Sequence, residues 1–388
     1  MKIPSYKRCA DSPIQQFVPP NRVRVPIDKM APIIKQGDHI EAGMLIARTD
    51  SDARWQFRRH SPLTGEVVAI EEKPNNGNEY QEIIIEGNAP TTARPNKHNV
   101  SNSFSSDDIV SAAREAGIVG MGGGMFPTYA KLSPNVPIDC VIINASECEP
   151  YMTCDHRVLL EHRDEVESGL ELAKQAVGAK RGEIANDKHG YPFGYENFII
   201  RNLLGREVPS GGLPKDVGVV VINVQTAQTL HHAVYGQQPL TQRVVTVDGD
   251  AVSKPGNYLI PIGTEIGYVL EQCATDLEST ALLLGGGPMM GKPVDLDSPV
   301  TPGMGAILAL TATQIQKAND GPCVRCGECL EACPLGLPAG LLSEQPDESV
   351  LECIECGICQ YACVGSRPLL DKLREAKAQI RKAKAGSV

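Results

Sequence analysis

Long apolar runs are missing from this chain: none approaches the ~18 residues that a membrane-crossing helix needs. The opening residues, Met1 to Lys7, lack the apolar core of a secretory signal. Basic excess is missing too. Lys and Arg number 37 against 47 Asp and Glu, and the net charge of −10 repels phosphate, which argues against nucleic acid as a partner. Aromatics amount to only 4% of the chain, whereas 37 Gly and 29 Pro favour many turns and short strands. A length of 388 residues exceeds one core, so several domains are expected. These absences predict a soluble or peripheral protein in a reducing compartment, where thiolates survive.

Cysteine is abundant, and in one place. Of 13 cysteines, the last eight form two copies of one spacing: Cys323, Cys326, Cys329, Cys333, then Cys353, Cys356, Cys359, Cys363. A thiolate at every third residue wraps one iron–sulfur cube, and the distant fourth cysteine reaches the other cube. The spacing therefore predicts one 4Fe-4S cluster on Cys323, Cys326, Cys329 and Cys363, and a second on Cys353, Cys356, Cys359 and Cys333. Zinc ribbons use separated Cys-x-x-Cys pairs and need no third cysteine at the next step. Disulfides need an oxidising compartment, which nothing in the sequence indicates. The remaining cysteines, Cys9, Cys140, Cys148, Cys154 and Cys273, lie outside any metal spacing. No base is specified beside Cys148 or Cys154, so neither reads as a nucleophile.

The predicted fold is a multidomain α+β chain. Residues 1–95 read as a β sandwich barrel like that of lipoyl and biotinyl carriers, with strands around 32–47, 61–70 and 83–85. No lysine stands between Arg48 and Ser61 to carry a prosthetic arm, so a docking platform is the expected role. Residues 88–106 are a polar linker. An α/β domain is expected over 105–238, with buried strands at 138–144 and 217–224. A β-grasp module of SLBB type is expected over 240–300, for which a structural spacer is the plain reading. A ferredoxin-like helical module at 315–370 and a basic closing helix at 371–388 complete the chain. That helix is either a solvated tail or a contact for an anionic surface.

Within the α/β region, Gly120, Gly122, Gly123 and Gly124 form a loop whose bare amides suit a phosphate or the flat face of a flavin. A mobile turn is the plainer alternative, and no strand precedes the loop as the dinucleotide fingerprint demands. Lys131 offers compensating charge. Asn144, Glu147 and Glu149 follow a predicted strand end, where open α/β sheets bind ligands, and Asn223 ends the other strand. A solvated loop with a helix N-cap is the alternative for the acids. His231 and His232 read as packing residues.

These stretches together resemble one family: RnfC, the peripheral subunit of the Rnf membrane complex that couples NADH and ferredoxin. The resemblance is carried by Ala116–Gly123, Phe126-Pro127-Thr128, Ile142–Tyr151, Gly205–Pro214, Gly286–Gly291 and both cysteine sets. The central region is also similar to the flavoprotein subunit of respiratory complex I. The resemblance implies FMN held by Gly120, Gly122, Gly123, Gly124, Lys131, Asn144 and Asn223, with Glu147, Glu149 and Glu196 facing FMN or NADH. It implies an NADH-oxidising subunit that passes electrons through FMN to two 4Fe-4S clusters and on to membrane subunits, reversibly with ferredoxin. Its implied location is the cytoplasmic face of the bacterial inner membrane.

The chain departs from the family pattern in several places. Met125 and Tyr195 stand where glycines are usual, Val364 replaces a proline, and residues 182–191 are shortened at the expense of a strand and helix. Two rivals follow: a soluble RnfC-like reductase component of cobalamin- or proline-reductase type, and a flavin-free iron–sulfur wire or adaptor.

Overall fold

The computed structural model describes residues 4–75, 78–88, 103–186, 190–315 and 318–385. In the N-terminal region, strands Arg22–Pro26, Asn78–Asn88, Thr64–Asn75 and His39–Ile40 pair antiparallel in that order. A second sheet joins Ala31–Pro32, Leu45–Arg48 and Arg58–His60. Strand alternation turns Val23, Val25, Val67, Ile83 and Ile85 into one core between the sheets. The polar linker expected after residue 88 lies mostly outside the described residues.

The α/β region is built on a parallel sheet ordered Arg181–Ala185, Cys140–Asn144, Val219–Asn223. Both faces are covered, which is why the inner strands read as unbroken apolar runs. Val141, Ile143, Val220 and Ile222 pack against helices Ser106–Glu115, Arg163–Val177 and Val224–Gly236. Cys140, Ile142, Val219 and Val221 pack against helix Glu196–Leu204. The strand Arg181–Ala185 corrects the expectation that this stretch lacks one: it is an edge strand with Arg181 exposed, so it carries no apolar signature.

The β-grasp region differs from its predicted boundaries at both ends. Its six-stranded sheet runs Ile14–Gln16, Gly256–Pro261, Gln242–Asp248, Ala306–Thr311, Thr280–Gly285, Lys292–Pro293. Ala306–Thr311 is a central strand, bonded on both sides, so the module extends past 300. Ile14–Gln16, expected in the barrel, pairs parallel with Asn257–Leu259 instead. The barrel is already complete from residue 22, whereas the outer edge of Gly256–Pro261 would otherwise leave its amides and carbonyls open.

The C-terminal region is helical: Glu328–Ala332, Ala339–Leu342, Ile358–Ala362 and Leu369–Ala385. The basic character of the last helix is largely used internally. Lys372 pairs with Asp320 at 2.6 Å, Lys377 with Glu355 at 2.8 Å and Lys384 with Glu348 at 2.9 Å. Among the described residues, no helix is long and apolar enough to cross a membrane.

Candidate functional site

The two cysteine sets fold as near-copies. In each, the residue two after the first cysteine and the glycine two further on are left-handed: Arg325 (φ 56°) and Gly327 (φ 87°), Glu355 (φ 58°) and Gly357 (φ 74°). That curl turns backbone N–H groups back onto sulfur, Arg325 to Cys323 Sγ and Glu355 to Cys353 Sγ, each at 3.4 Å. Short helices Glu328–Ala332 and Ile358–Ala362 follow, then the fourth cysteine crosses over. One cavity is lined by Cys323, Cys326, Cys329 and Cys363, and the other by Cys333, Cys353, Cys356 and Cys359. Each cavity thus gathers three thiols from one set and one from the other. Burial raises the Cys356 thiol to about 11 and Cys359 to about 12, so a strongly electrophilic metal is needed to hold them as thiolates. All-sulfur donors around a shared void, with amides aimed at sulfur, fit a 4Fe-4S group.

The glycine loop of the α/β region lies against the strand end at Asn223. Gly122, Gly123, Gly124 and Met125 are exposed, and a Cβ built on Gly123 or Gly124 would meet only open space. Two anchors fix the loop at Met121: its N–H donates to Thr226 Oγ1 at 3.0 Å, and its carbonyl accepts from Arg243 at 3.1 Å. Arg243 is almost fully buried, and sequence reading missed it. A lone Arg opening the buried strand Gln242–Asp248 was the available signal. Gly122 abuts the Asn223 side chain, with its notional Cβ 3.5 Å from Asn223 Cβ.

The polar residues of this crevice are mostly engaged with the protein itself. Asn223 Oδ1 caps helix Val224–Gly236 by accepting from the Gln225 N–H at 2.9 Å. Asn144 donates to the Gly194 carbonyl and accepts from the Ser146 N–H, both at 2.9 Å, stitching two loops together. Lys131 Nζ bonds Glu196 Oε1 and the Val221 carbonyl, each at 3.0 Å. Glu147 turns toward helix Cys154–Glu161 and accepts from the Asp155 N–H at 3.1 Å, so the N-cap alternative describes its present bonding. Burial beside Asp155 pushes its pKa up to about 6. Burial raises Glu149 to about 7; one oxygen accepts from the Met289 N–H at 3.1 Å, and Oε1 is buried without a partner. That orphaned oxygen and the open glycine face are the features here that suit a bound polar cofactor. Lys7, also missed, reaches over the acid loop and donates to the carbonyls of Glu147 and Glu149, each at 2.8 Å, and to that of Met152. His231 and His232 tie helices together through Ser168 and Glu165, at 2.8 and 3.0 Å.

The crevice and the second thiol cavity meet. Tyr191 packs with Cys356, Ile358, Ala332 and Ala362, joined by Cys148, Tyr195 and Met289. Its hydroxyl donates to the Cys356 carbonyl and lies 3.2 Å from the Tyr195 hydroxyl. Cys148 and Cys154 are raised by burial, Cys148 to about 12, which fits packing rather than nucleophilic roles.

Two interleaved thiol cavities set against a strand-end crevice define a modular iron–sulfur protein joined to a flavin-type α/β domain. The comparisons agree region by region. The RnfC barrel sandwich hybrid domain matches residues 1–89 and the Nuo51 FMN-binding domain 113–189 and 182–232, while the SLBB domain matches 244–293 and a 4Fe-4S dicluster domain 315–364. The RnfC-type protein of the proton-translocating ferredoxin:NAD+ oxidoreductase complex of Clostridium ljungdahlii is 36% identical, covering 87% of this chain and 81% of that protein. Its counterpart in the Na+-translocating complex of Acetobacterium woodii is 32% identical, covering 97% and 95%. The chain belongs to the RnfC family, whose members are subunits of ion-translocating ferredoxin:NAD+ oxidoreductase complexes. An NAD+-reducing NiFe hydrogenase in the H2-reduced state shares the fold over 74% of this chain and 63% of its own, at a TM-score of 0.52 and 21% identity.

Proposed function

We propose that this chain is the electron-transfer subunit of an Rnf-type complex, carrying electrons between NAD(H) and membrane subunits by way of FMN and two 4Fe-4S clusters. The observation that carries the reading is the pair of cavities, each ringed by four cysteines drawn from both sets. A flavin bound in the crevice would take hydride as a pair of electrons and release them singly, as clusters require. Gly122, Gly123 and Gly124 offer unobstructed backbone for it, Lys131 a cation, and Glu149 a buried oxygen awaiting a donor. Tyr191 and Cys356 give the shortest packed route from that crevice to the thiol module, so the cavity of Cys333, Cys353, Cys356 and Cys359 stands nearer the crevice. The working position on this reading is the cytoplasmic face of the inner membrane, held there by partner subunits. It is consistent with the lack of a membrane-crossing helix among the described residues.

A flavin-free wire is the second reading, favoured by Lys131 being held by Glu196 and by Tyr195 filling space beside Tyr191. Anaerobic purification with iron, sulfide and flavin assays separates them. Two clusters and one FMN per chain, bleached by NADH, are expected. Iron and sulfide without flavin would select the wire; zinc without sulfide would remove both.

A further inference from the structure

The internal repeat is broken at one informative position. Four residues after the crossing cysteine, and just before a proline, the first set has Leu337 and the second has Arg367. Leu337 lines the cavity of Cys333, Cys353, Cys356 and Cys359, while Arg367 lines the cavity of Cys323, Cys326, Cys329 and Cys363. Equivalent walls of two equivalent cavities therefore differ by a guanidinium.

This cation is not a surface charge. Arg367 is 5% exposed, and its Nε is buried with no partner. Nη1 donates to the Gly340 carbonyl at 3.4 Å and to Ser343 Oγ at 3.3 Å. The N–H of the same Gly340 donates to Cys329 Sγ at 3.3 Å, so the peptide chain that Arg367 braces also carries a hydrogen bond to sulfur. Nη2 pairs with Glu344 at 3.1 Å, and Glu344 accepts from the Cys323 N–H at 3.0 Å. The two charges are unequally screened: the Glu344 side chain is 36% exposed and the Arg367 side chain 6%. Water weakens the carboxylate's field more than the guanidinium's. Another buried cation of this module, Lys377, is turned to the Cys353 carbonyl and Glu355 and does not line the second cavity.

Adding one electron to a 4Fe-4S group adds one negative charge, and cluster potentials follow local charge, hydrogen bonds to sulfur and burial. We propose that Arg367 is a tuning residue that sets the potential of the cluster on Cys323, Cys326, Cys329 and Cys363 above the value its leucine-walled twin geometry would give. The inference rests on the cluster reading above. It makes this cavity, the one farther from the flavin-type crevice, the place where an electron settles before leaving the chain. The surrounding exposed side chains Val324, Leu330 and Leu341 leave that cavity accessible.

The test is an anaerobic redox titration of the full-length holoprotein, followed by electron paramagnetic resonance, with iron and sulfide measured on every sample. Arg367→Leu, which copies the Leu337 wall, should lower one midpoint so that the reduced-to-oxidised ratio at fixed potential falls about tenfold, ~59 mV for one electron. The other midpoint should hold, and Arg367→Lys should restore most of the loss. Glu344→Gln keeps an acceptor for the Cys323 N–H but removes the countercharge, and should raise the same midpoint. Full iron content with neither midpoint moved by Arg367→Leu overturns the proposal, as does an equal shift of both. Should Arg367→Leu lose iron, Glu344→Gln decides: a raised single midpoint supports the tuning role and an unmoved one refutes it. A wild-type protein without sulfide would instead remove the cluster reading itself.

Discussion

Glu149 shows how burial writes a pH dependence into one side chain. Its carboxyl is raised from 4.5 to about 7 by burial, against the Met289 N–H bond and the Lys7 charge that favour ionisation. A folded pKa above the unfolded one means its contribution to stability is complete below pH 4.5 and is lost as pH rises through 7. The full span corresponds to up to about 3 kcal/mol. Glu149→Gln should therefore match wild type in thermal midpoint at about pH 5 and exceed it at about pH 8, measured on flavin-free protein. An equal gap at both values would show that the carboxyl stays ionised throughout. Gly287 sits against this carboxylate, where a Cβ would collide with Glu149 Oε2, so the residue is held from both sides.

Helix Arg163–Val177 crosses Val224–Gly236 at Gly169, where a Cβ would fall inside the Ala227 carbonyl. Gly169→Ala should push the helices apart and cost about 1–3 kcal/mol, the range for overpacking, seen as a lower thermal midpoint with unchanged iron content. This contact was invisible in the sequence, because a glycine inside an amphipathic pattern reads the same whether or not a second helix approaches it. The periodic elements were legible: helix Ser106–Glu115 with Gly117 behind it, strands Cys140–Asn144 and Val219–Asn223, and the repeated cysteine spacing all carry local signals. Arg181–Ala185 was not, since an edge strand needs few apolar residues. The crevice was half legible. Glycines and strand-end polar residues announced a place, yet Asn144, Asn223 and Lys131 spend their bonds on neighbouring backbone and side chains that no spacing rule connects to them. Lys7, Arg243 and Arg367 act over long sequence separations, which is why reading along the chain passed over them.

Across the molecule, one arginine ties the barrel to the β-grasp sheet. Arg24, on a barrel strand, bonds Glu71 at 3.0 Å, Glu82 at 3.4 Å and Glu265 at 2.7 Å, while its backbone N–H donates to the Gly263 carbonyl at 2.8 Å. Glu82 is buried, so Arg24→Ala would strand its carboxylate beside the Tyr80 hydroxyl without a countercharge at hand. Breaking a buried pair from one side costs about 3–5 kcal/mol. Limited proteolysis should then cut between barrel and remainder faster than in wild type, and unchanged cleavage would show that the junction does not depend on this cation.

The pairing of Ile14–Gln16 with Asn257–Leu259 has a further consequence for biosynthesis. A ribosome exposes the first of these segments long before its mate, so the contact cannot form until barrel and crevice have both been made. The early segment then closes last, like a clasp fastened over finished pieces. Fragments split between the predicted modules would each carry half of that clasp, and only together would they regain a sealed sheet edge.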